Sequence, residues 1–271
     1  MPGVVDTVSD GNVDLLAFDL DDTLAPSKSS LDPRMATLLA ELLAVVQVCV
    51  ISGGQFGQFE TQLLAGLPAS ATPLFGRLHL LPTCGTQYYR FEDGWTQQYA
   101  ENLTDAQKRA TLAVLEECAR QLGLWETKTW GPILEDRGSQ ITFSALGQEA
   151  PVDAKKAWDP TGAKKESLRS AAAALLPELE VRSGGSTSID VTRKGIDKAY
   201  GMRKLAVLTG IPLDRMLFVG DRLDEGGNDY PVKATGVRTH AVTNWQDTAD
   251  FVADFLKRRG DGPAQPATIE S

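Results

Sequence analysis

The sequence predicts an α/β protein: a three-layer core around a largely parallel sheet, interrupted by an inserted α+β domain. Three observations carry the prediction. Strand-like and helix-like segments alternate at the start of the chain and again from Gly195 onward, the pattern of a parallel sheet with crossover helices. Between them lie segments of strict polar–apolar alternation, which suit a sheet with one apolar and one polar face. The chain has 271 residues, 42% of them hydrophobic, near the size at which one core gives way to two.

The elements follow in order. Val13–Phe18 reads as a short buried strand that ends in Asp19-Leu20-Asp21-Asp22-Thr23. Asp32-Pro33 supplies an N-cap and a proline at the first helical position, and Leu38, Leu39, Leu42 and Leu43 then recur at helical spacing. Val46–Ile51 is a second strand, ending at Ser52-Gly53-Gly54, and Phe59, Leu63 and Leu64 continue as an amphipathic helix. In the middle, Tyr88–Tyr99 suggests a hairpin turning at Asp93-Gly94. Thr104-Asp105-Ala106-Gln107 forms a capping box ahead of Leu112, Leu115, Cys118 and Leu122. Ile141 and Phe143 alternate with Gln140, Thr142 and Ser144; Ile189 and Val191 alternate with Ser186, Ser188 and Asp190. Helices are expected to cover the apolar face, leaving the polar face free to meet a substrate.

From Gly195 the core pattern returns, with a helix over Asp197–Leu208 and a strand over Met216–Val219 ending at Gly220-Asp221. A last strand over Thr239–Val242 and a last helix over Gln246–Lys257 follow. The expected division is a core from 1–87 and 193–257, an α+β cap domain from 88–192, and a tail from 258–271 with little to bury.

The net charge is −9, from 36 acidic and 27 basic residues, which argues against nucleic acid or an anionic membrane as partner. It leaves room for an anionic substrate, because a metal and a few aimed cations reverse the sign locally. Cys49, Cys84 and Cys118 show no CxxC spacing and are expected as reduced, buried thiols. Met1–Asp14 carries acids without a basic n-region, so no signal peptide is expected. No apolar run reaches the ~20 residues of a membrane span. The expectation is a soluble, cytoplasmic protein.

The chemistry starts at the first strand's carboxyl end, the edge at which open α/β sheets bind ligands. Asp19 and Asp21, two apart along an extended segment, point the same way. Two carboxylates in one small volume repel unless a cation sits between them or one is protonated, and Mg²⁺ suits clustered oxygen ligands.

Four stations then line up at strand ends or helix starts: Asp19/Asp21/Thr23, Ser52, Lys198, and Asp221 with Gly226-Gly227-Asn228-Asp229. Their order and spacing resemble the haloacid dehalogenase superfamily of phosphotransferases, from about Val13 to Val252. The inserted domain resembles the cap of its Cof-like and eukaryotic phosphomannomutase-like branch. The resemblance implies a Rossmann-like three-layer core with an inserted α+β cap. It implies that Asp19 is the nucleophile forming an aspartyl-phosphate and Asp21 the general acid, then base. It implies Mg²⁺ held by Asp19, the backbone carbonyl of Asp21, and Asp221, with Asn228 or Asp229 behind. Thr23, Ser52 and the Gly53 backbone would grip phosphate, and Lys198 would neutralise phosphate and Asp19 together. Gly226 and Gly227 would let the loop approach the metal. Asp22 and Asp224 are read as solvated loop acids.

The likeness to phosphomannomutases is closer than the general one. Arg182-Ser183-Gly184-Gly185-Ser186-Thr187-Ser188-Ile189-Asp190-Val191 resembles their sugar-contacting strand, with Ser188 and Asp190 on its hydroxyl-binding positions. There are departures. Arginine positions of the mutase cap fall on Trp130 and Gln148, leaving Arg137 aligned and Arg182 as a replacement cation. Ser52 stands where mutases carry an apolar residue and phosphatases Ser or Thr. The expected function is therefore a Mg²⁺-dependent phosphatase of a small phosphorylated metabolite, with a sugar phosphate as the expected substrate. The alternatives are a phosphohexomutase and a non-catalytic sensor of a phosphometabolite. No nucleic-acid or membrane partner is expected, and a homodimer stays open.

Overall fold

Each residue of β1 (Leu15–Phe18) is apolar and fully buried, because this strand runs through the middle of a sheet covered on both faces. The computed structural model describes residues 12–260. Its other strands are β2 (Gln47–Ile51), β3 (Leu78–Leu81), β4 (Gln87–Phe91), β5 (Trp95–Ala100), β6 (Leu134–Asp136), β7 (Gln140–Ser144), β8 (Leu179–Ser183), β9 (Ser188–Arg193), β10 (Met216–Gly220) and β11 (Arg238–Ala241). The helices are α1 (Pro33–Val45), α2 (Asp105–Gln121), α3 (Val152–Trp158), α4 (Ala163–Leu175), α5 (Lys198–Thr209) and α6 (Trp245–Gly260).

The central sheet has the order β11-β10-β1-β2-β3-β4-β5. The first five of these run parallel, and β4 and β5 continue the sheet antiparallel. The two-residue period of β1 assigns its side chains to two layers. Leu16 and Phe18 join the core beneath α1 and α6, whereas Leu15 and Ala17 join the one beneath α5. The start of α1 is as the sequence dictates: Asp32 accepts from Arg34 N, and Pro33 needs no partner there.

A second sheet, β6-β7-β9-β8, is antiparallel throughout. Ile141, Phe143, Val181, Ile189 and Val191 form a separate core with Leu115, Cys118, Leu168 and Ala172 of α2 and α4. The Thr104–Gln107 capping box opens α2 as expected.

The structure departs from expectation in several places. The hairpin over Tyr88–Tyr99 was placed with the insertion, yet β4 pairs with β3 and extends the central sheet. Its strands satisfy an open sheet edge, which local alternation cannot reveal. The strand β3 had no signal, since Leu78-His79-Leu80-Leu81 is short and follows an irregular 3₁₀ segment, Ala69–Arg77. The amphipathic helix after β2 is broken: one turn over Phe56–Gln58, a π-helical turn over Phe59–Leu63, then a 3₁₀ turn. Arg258, assigned to the tail, continues α6 to Gly260, and the rest of the tail, like the start of the Met1–Asp14 segment, lies outside the described residues. Cys49 and Cys118 are buried, Cys84 is half-buried, and all three are free. Among the described residues no helix is long and apolar enough to cross a membrane.

The polar face of the second sheet is not open either. Gln140, Thr142 and Ser144 are almost wholly buried, because this face closes on the loops at the carboxyl ends of β1 and β2. Arg137 Nη1 donates to Gly53 O at 2.8 Å, and Gln55 Nε2 donates to Glu135 Oε1 at 2.8 Å. A hydroxyl cluster of Thr83, Thr86 and Ser139 joins the two bodies at the other side, with Ser139 Oγ to Thr83 Oγ1 at 3.0 Å.

The loop after β3 carries consecutive left-handed residues, Thr83 (φ 49) and Cys84 (φ 55), followed by Gly85 (φ 88). It braces the loop after β2, since Thr83 N donates to Gly54 O and Cys84 N to Ser52 O, both at 2.9 Å. It also lies hard against α5: a Cβ on Gly85 would stand 2.6 Å from Gly201 Cα. Gly85→Ala should therefore cost about 2 kcal/mol or more in strain and overpacking. Urea unfolding measures this, and an unchanged midpoint would contradict the packing described.

Candidate active site

Asp19 leaves the end of β1 and is only 4% exposed. Its Oδ1 accepts from Lys198 Nζ at 2.6 Å. Lys198 opens α5, whose N-cap Asp197 accepts from Tyr200 N, so the helix start is fixed before its lysine enters the interior. The lysine is fully buried and also reaches Asp229 Oδ1 at 2.6 Å. One ammonium thus serves two carboxylates. Asp221, at the end of β10, is held by Thr23: the hydroxyl donates to its Oδ1 at 3.1 Å and accepts from its N–H at 3.0 Å.

Asp19, Asp221 and Asp229 bring carboxylate oxygens within 4.8 Å of one another. Burial raises the Asp19 carboxyl well above its ordinary range; Lys198 opposes this, and Asp229 and Asp221 add to it. Burial raises Asp221 too, with Asp229 adding. Burial pulls the Lys198 ammonium down, but Asp19 and Asp229 together push it above its ordinary value. Three carboxylates against one ammonium leave an excess of negative charge, and the donors are all hard oxygens, which fits a dication. Asp229 has both oxygens engaged, by Lys198 and by Arg222 N at 3.0 Å. Asp19 and Asp221 are therefore the carboxylates that could face an ion, with Asp229 behind them.

Several expectations need correction. Thr23 was expected on phosphate, but its hydroxyl is spent as donor and acceptor on Asp221. Asn228, expected beside the metal, is exposed. Gly227 is required by the loop itself, since a Cβ there would stand 2.0 Å from Arg222 O. Asp22, read as merely solvated, caps a turn by accepting from Ser27 N at 3.0 Å.

Ser52 closes a tight turn, its Oγ accepting from Gly54 N at 3.1 Å. The hydroxyl keeps its own proton for an acceptor in the cleft. Asp21 is gripped by groups that the sequence did not reveal. Its Oδ2 accepts from Gln58 Nε2 at 2.8 Å, and its Oδ1 accepts from Gln62 Nε2 at 3.2 Å and from Lys28 N at 2.8 Å. The signal that existed was the Gln58–Gln62 spacing of four, one helical turn.

The cap supplies the opposite wall. Asp190 Oδ1 accepts from Gln140 Nε2 at 2.8 Å and Thr142 Oγ1 at 2.7 Å, while burial raises its carboxyl. Arg137 binds Glu135 Oε2 through Nη2 at 2.7 Å as well as Gly53 O. Ser188 sits across the strand pair from Ser144. Arg182 lies across the strand pair from Asp190 and 3.6 Å from Glu180 and from Asp197. Two unforeseen cations meet at Gln148: Lys28 Nζ donates to its O at 3.1 Å and its Oε1 at 2.6 Å, and Lys155 Nζ donates to the same O at 3.0 Å. Burial, then Lys155 and Arg137, lower the Lys28 ammonium to about 8. Lys28 and Lys155 thus meet at Gln148, and the Arg137 charge lies near enough to weigh on Lys28.

Known proteins resemble this chain at the level of both sequence and fold. A model of the family described as eukaryotic phosphomannomutase matches residues 35–258. Human phosphomannomutase 1 is 26% identical over 242 residues, covering 86% of this chain and 88% of that protein. A haloacid dehalogenase-like hydrolase from Bacteroides thetaiotaomicron superposes with a TM-score of 0.59 at 17% identity, covering 89% of this chain and 99% of that one. An N-terminally truncated IMP-nucleotidase from Plasmodium falciparum gives 0.67 at 16% identity, over 91% of this chain and 71% of that one.

Lys198→Met should leave Asp19 and Asp229 buried without their counter-charge, at a cost of about 3–5 kcal/mol. The deficit should be present at neutral pH. It should shrink as pH falls, because a buried carboxyl with a raised pKa takes up its proton more readily folded than unfolded. Thermal melts of both proteins across pH measure this; a deficit that grows on acidification would contradict it.

Proposed function

The chain belongs to the eukaryotic phosphomannomutase family of the haloacid dehalogenase superfamily, and we propose that it is a Mg²⁺-dependent phosphohexomutase. The sequence alone favours a phosphatase, because Trp130 and Gln148 stand at arginine positions of the mutase cap and Ser52 stands where mutases carry an apolar residue. The observation that turns the reading is the convergence of Lys28, Lys155 and Arg137 at the core–cap mouth. A mutase must hold a second phosphate far from the first, and charge-assisted contacts of about 1.5–3 kcal/mol each are what such a site needs. The names of the curated relatives, phosphomannomutases at 24–26% identity, support the same reading.

In this reading Asp19 attacks phosphorus, the bond from phosphorus to the ester oxygen breaks, and Asp21 gives its proton to that oxygen. Lys198, shared between Asp19 and Asp229, holds Asp19 in line and offsets the charge of the phosphoryl oxygens. With Asp19 so phosphorylated, the free hydroxyl of a hexose monophosphate gives its proton to Asp21 and takes the phosphoryl group from Asp19; the bisphosphate formed turns over, and Asp19 takes its other phosphoryl group by the first step, Asp21 returning the proton to the departing oxygen. Asp19 and Asp221 would hold Mg²⁺, which would supply charge neutralisation for the transferring group. Asp190 and Ser188 would face the sugar hydroxyls, with Gln140 and Thr142 holding Asp190 from behind, and Lys28, Lys155 and Arg137 would take the distal phosphate. The closed cap keeps water from the phospho-aspartate. The net charge of −9 fits a small anionic substrate met through aimed cations rather than nucleic acid or membrane, and a cytoplasmic setting goes with it.

Hydrolysis is the second reading. Ser52 at the phosphate turn and the exposed Trp130 favour it.

Phosphorus NMR decides between them. With a hexose 1-phosphate, Mg²⁺ and catalytic hexose 1,6-bisphosphate, the 6-phosphate should appear quickly with little inorganic phosphate. Free phosphate accumulating as the main product, with or without the bisphosphate, would establish the phosphatase instead. Under either reading, excess chelator should lower turnover by ~100-fold or more, and added Mg²⁺ should restore it. Full activity in chelator would remove the metal from the mechanism.

A further inference from the structure

We infer that Gln58 and Gln62 are positioning residues for Asp21, setting the line along which it passes its proton. The inference rests on the reading of Asp21 as general acid and base. The two amides do little else. Gln62 is 3% exposed, its Nε2 is given to Asp21 Oδ1, and its Oε1 accepts from Gln58 Nε2 at 2.9 Å. Gln58 Nε2 in turn takes Asp21 Oδ2 at 2.8 Å. With Lys28 N on Oδ1, three donors fix the carboxylate plane from two sides.

The surrounding backbone is shaped for this grip. Gln58 precedes the π-helical turn Phe59–Leu63 on which Gln62 sits, an arrangement found mostly where function demands it. Gly54 leaves the space that the Gln58 amide occupies; a Cβ there would lie 2.1 Å from Gln58 Oε1. The phosphate turn and the acid's support are thus fitted to each other.

The consequence is chemical. When the phosphorus–ester oxygen bond breaks and the bond to Asp19 forms, the proton on Asp21 moves to the departing oxygen and Asp21 becomes a carboxylate. Amide donors aimed at both its oxygens stabilise that state as it develops. A carboxyl free to swing would lose the alignment on which proton transfer depends.

Such a role shows itself in leaving-group dependence, because a general acid matters most where the leaving oxygen is basic. The test is kcat/KM over a series of aryl phosphates from p-nitrophenyl to phenyl, for Gln58→Met, Gln62→Met and Asp21→Asn. These probes do not depend on which sugar is bound. The glutamine variants should stay within about 3-fold of the parent on p-nitrophenyl phosphate and fall ~10–100-fold on phenyl phosphate, with KM little changed and the steepened slope of Asp21→Asn. Parallel losses across the series, or none, beside a steep Asp21→Asn series would overturn this inference alone. A flat series for Asp21→Asn would overturn the general-acid reading and the inference with it. If Gln62→Met fails to fold, the half-buried Gln58 decides.

Discussion

The buried ammonium of Lys198 is the interaction on which the rest of this molecule depends. Desolvating a charge is tolerable only where partners replace the lost water. Here three separate segments meet: Asp19 after β1 and Asp229 after β10 supply the two partners, and the start of α5 supplies the lysine. Each must arrive with its loop in register, and each loop has a device for doing so. Thr23 locks Asp221 to the β1 loop, Gly227 lets the Asp229 loop fold on itself, and Gly85 lets α5 press against the β3–β4 loop. The same arrangement that makes the lysine bearable in the interior gathers the carboxylates on which phosphoryl chemistry would be run.

The carboxyl-end loops also explain why the cap sits where it does. Gly53 O, at the phosphate turn, accepts from Arg137 at 2.8 Å and from Gln140 at 3.4 Å. Lys28, held with φ 56 in the left-handed region, gives its N–H to Asp21 and its ammonium to Gln148. Core residues concerned with phosphate and proton thus touch cap residues directly, and the polar face of the second sheet is buried by chemistry rather than by packing. Arg137 is positioned to exchange an internal partner, Glu135, for an anion entering the cleft.

The parts of this arrangement legible in the sequence were those written in local patterns. The apolar strand before Asp19, the proline-started α1 and the capping box of α2 each follow from neighbours a few residues apart. The order of Asp19, Ser52, Lys198 and Asp221 then placed them at one sheet edge. What could not be read came from contacts distant in sequence. The β4–β5 hairpin looks the same whether it completes one sheet or begins another. Lys155 is separated from Lys28 by more than a hundred residues, so nothing in either segment marks their meeting at Gln148. The π-helical turn carries no periodic signature, and its glutamines gained meaning only when Asp21 lay against them.

The excursion that forms the second sheet leaves and returns through one point. Arg193, at the end of β9, bonds to the carbonyl of Asn102, just beyond β5, at 2.5 Å, and Lys204 of α5 binds Glu101 at 2.6 Å. The points where the chain leaves and returns therefore adjoin, like the two ends of a closed clasp. An insertion with adjoining ends imposes little closure entropy on its host, and its length is almost free to vary. The loops around Lys198 in the core would be insulated from such change, whereas the second sheet and its helices belong to the exchangeable part. Specificity in a molecule of this plan can drift by remodelling one cartridge, while the charge cluster around Lys198 stays fixed.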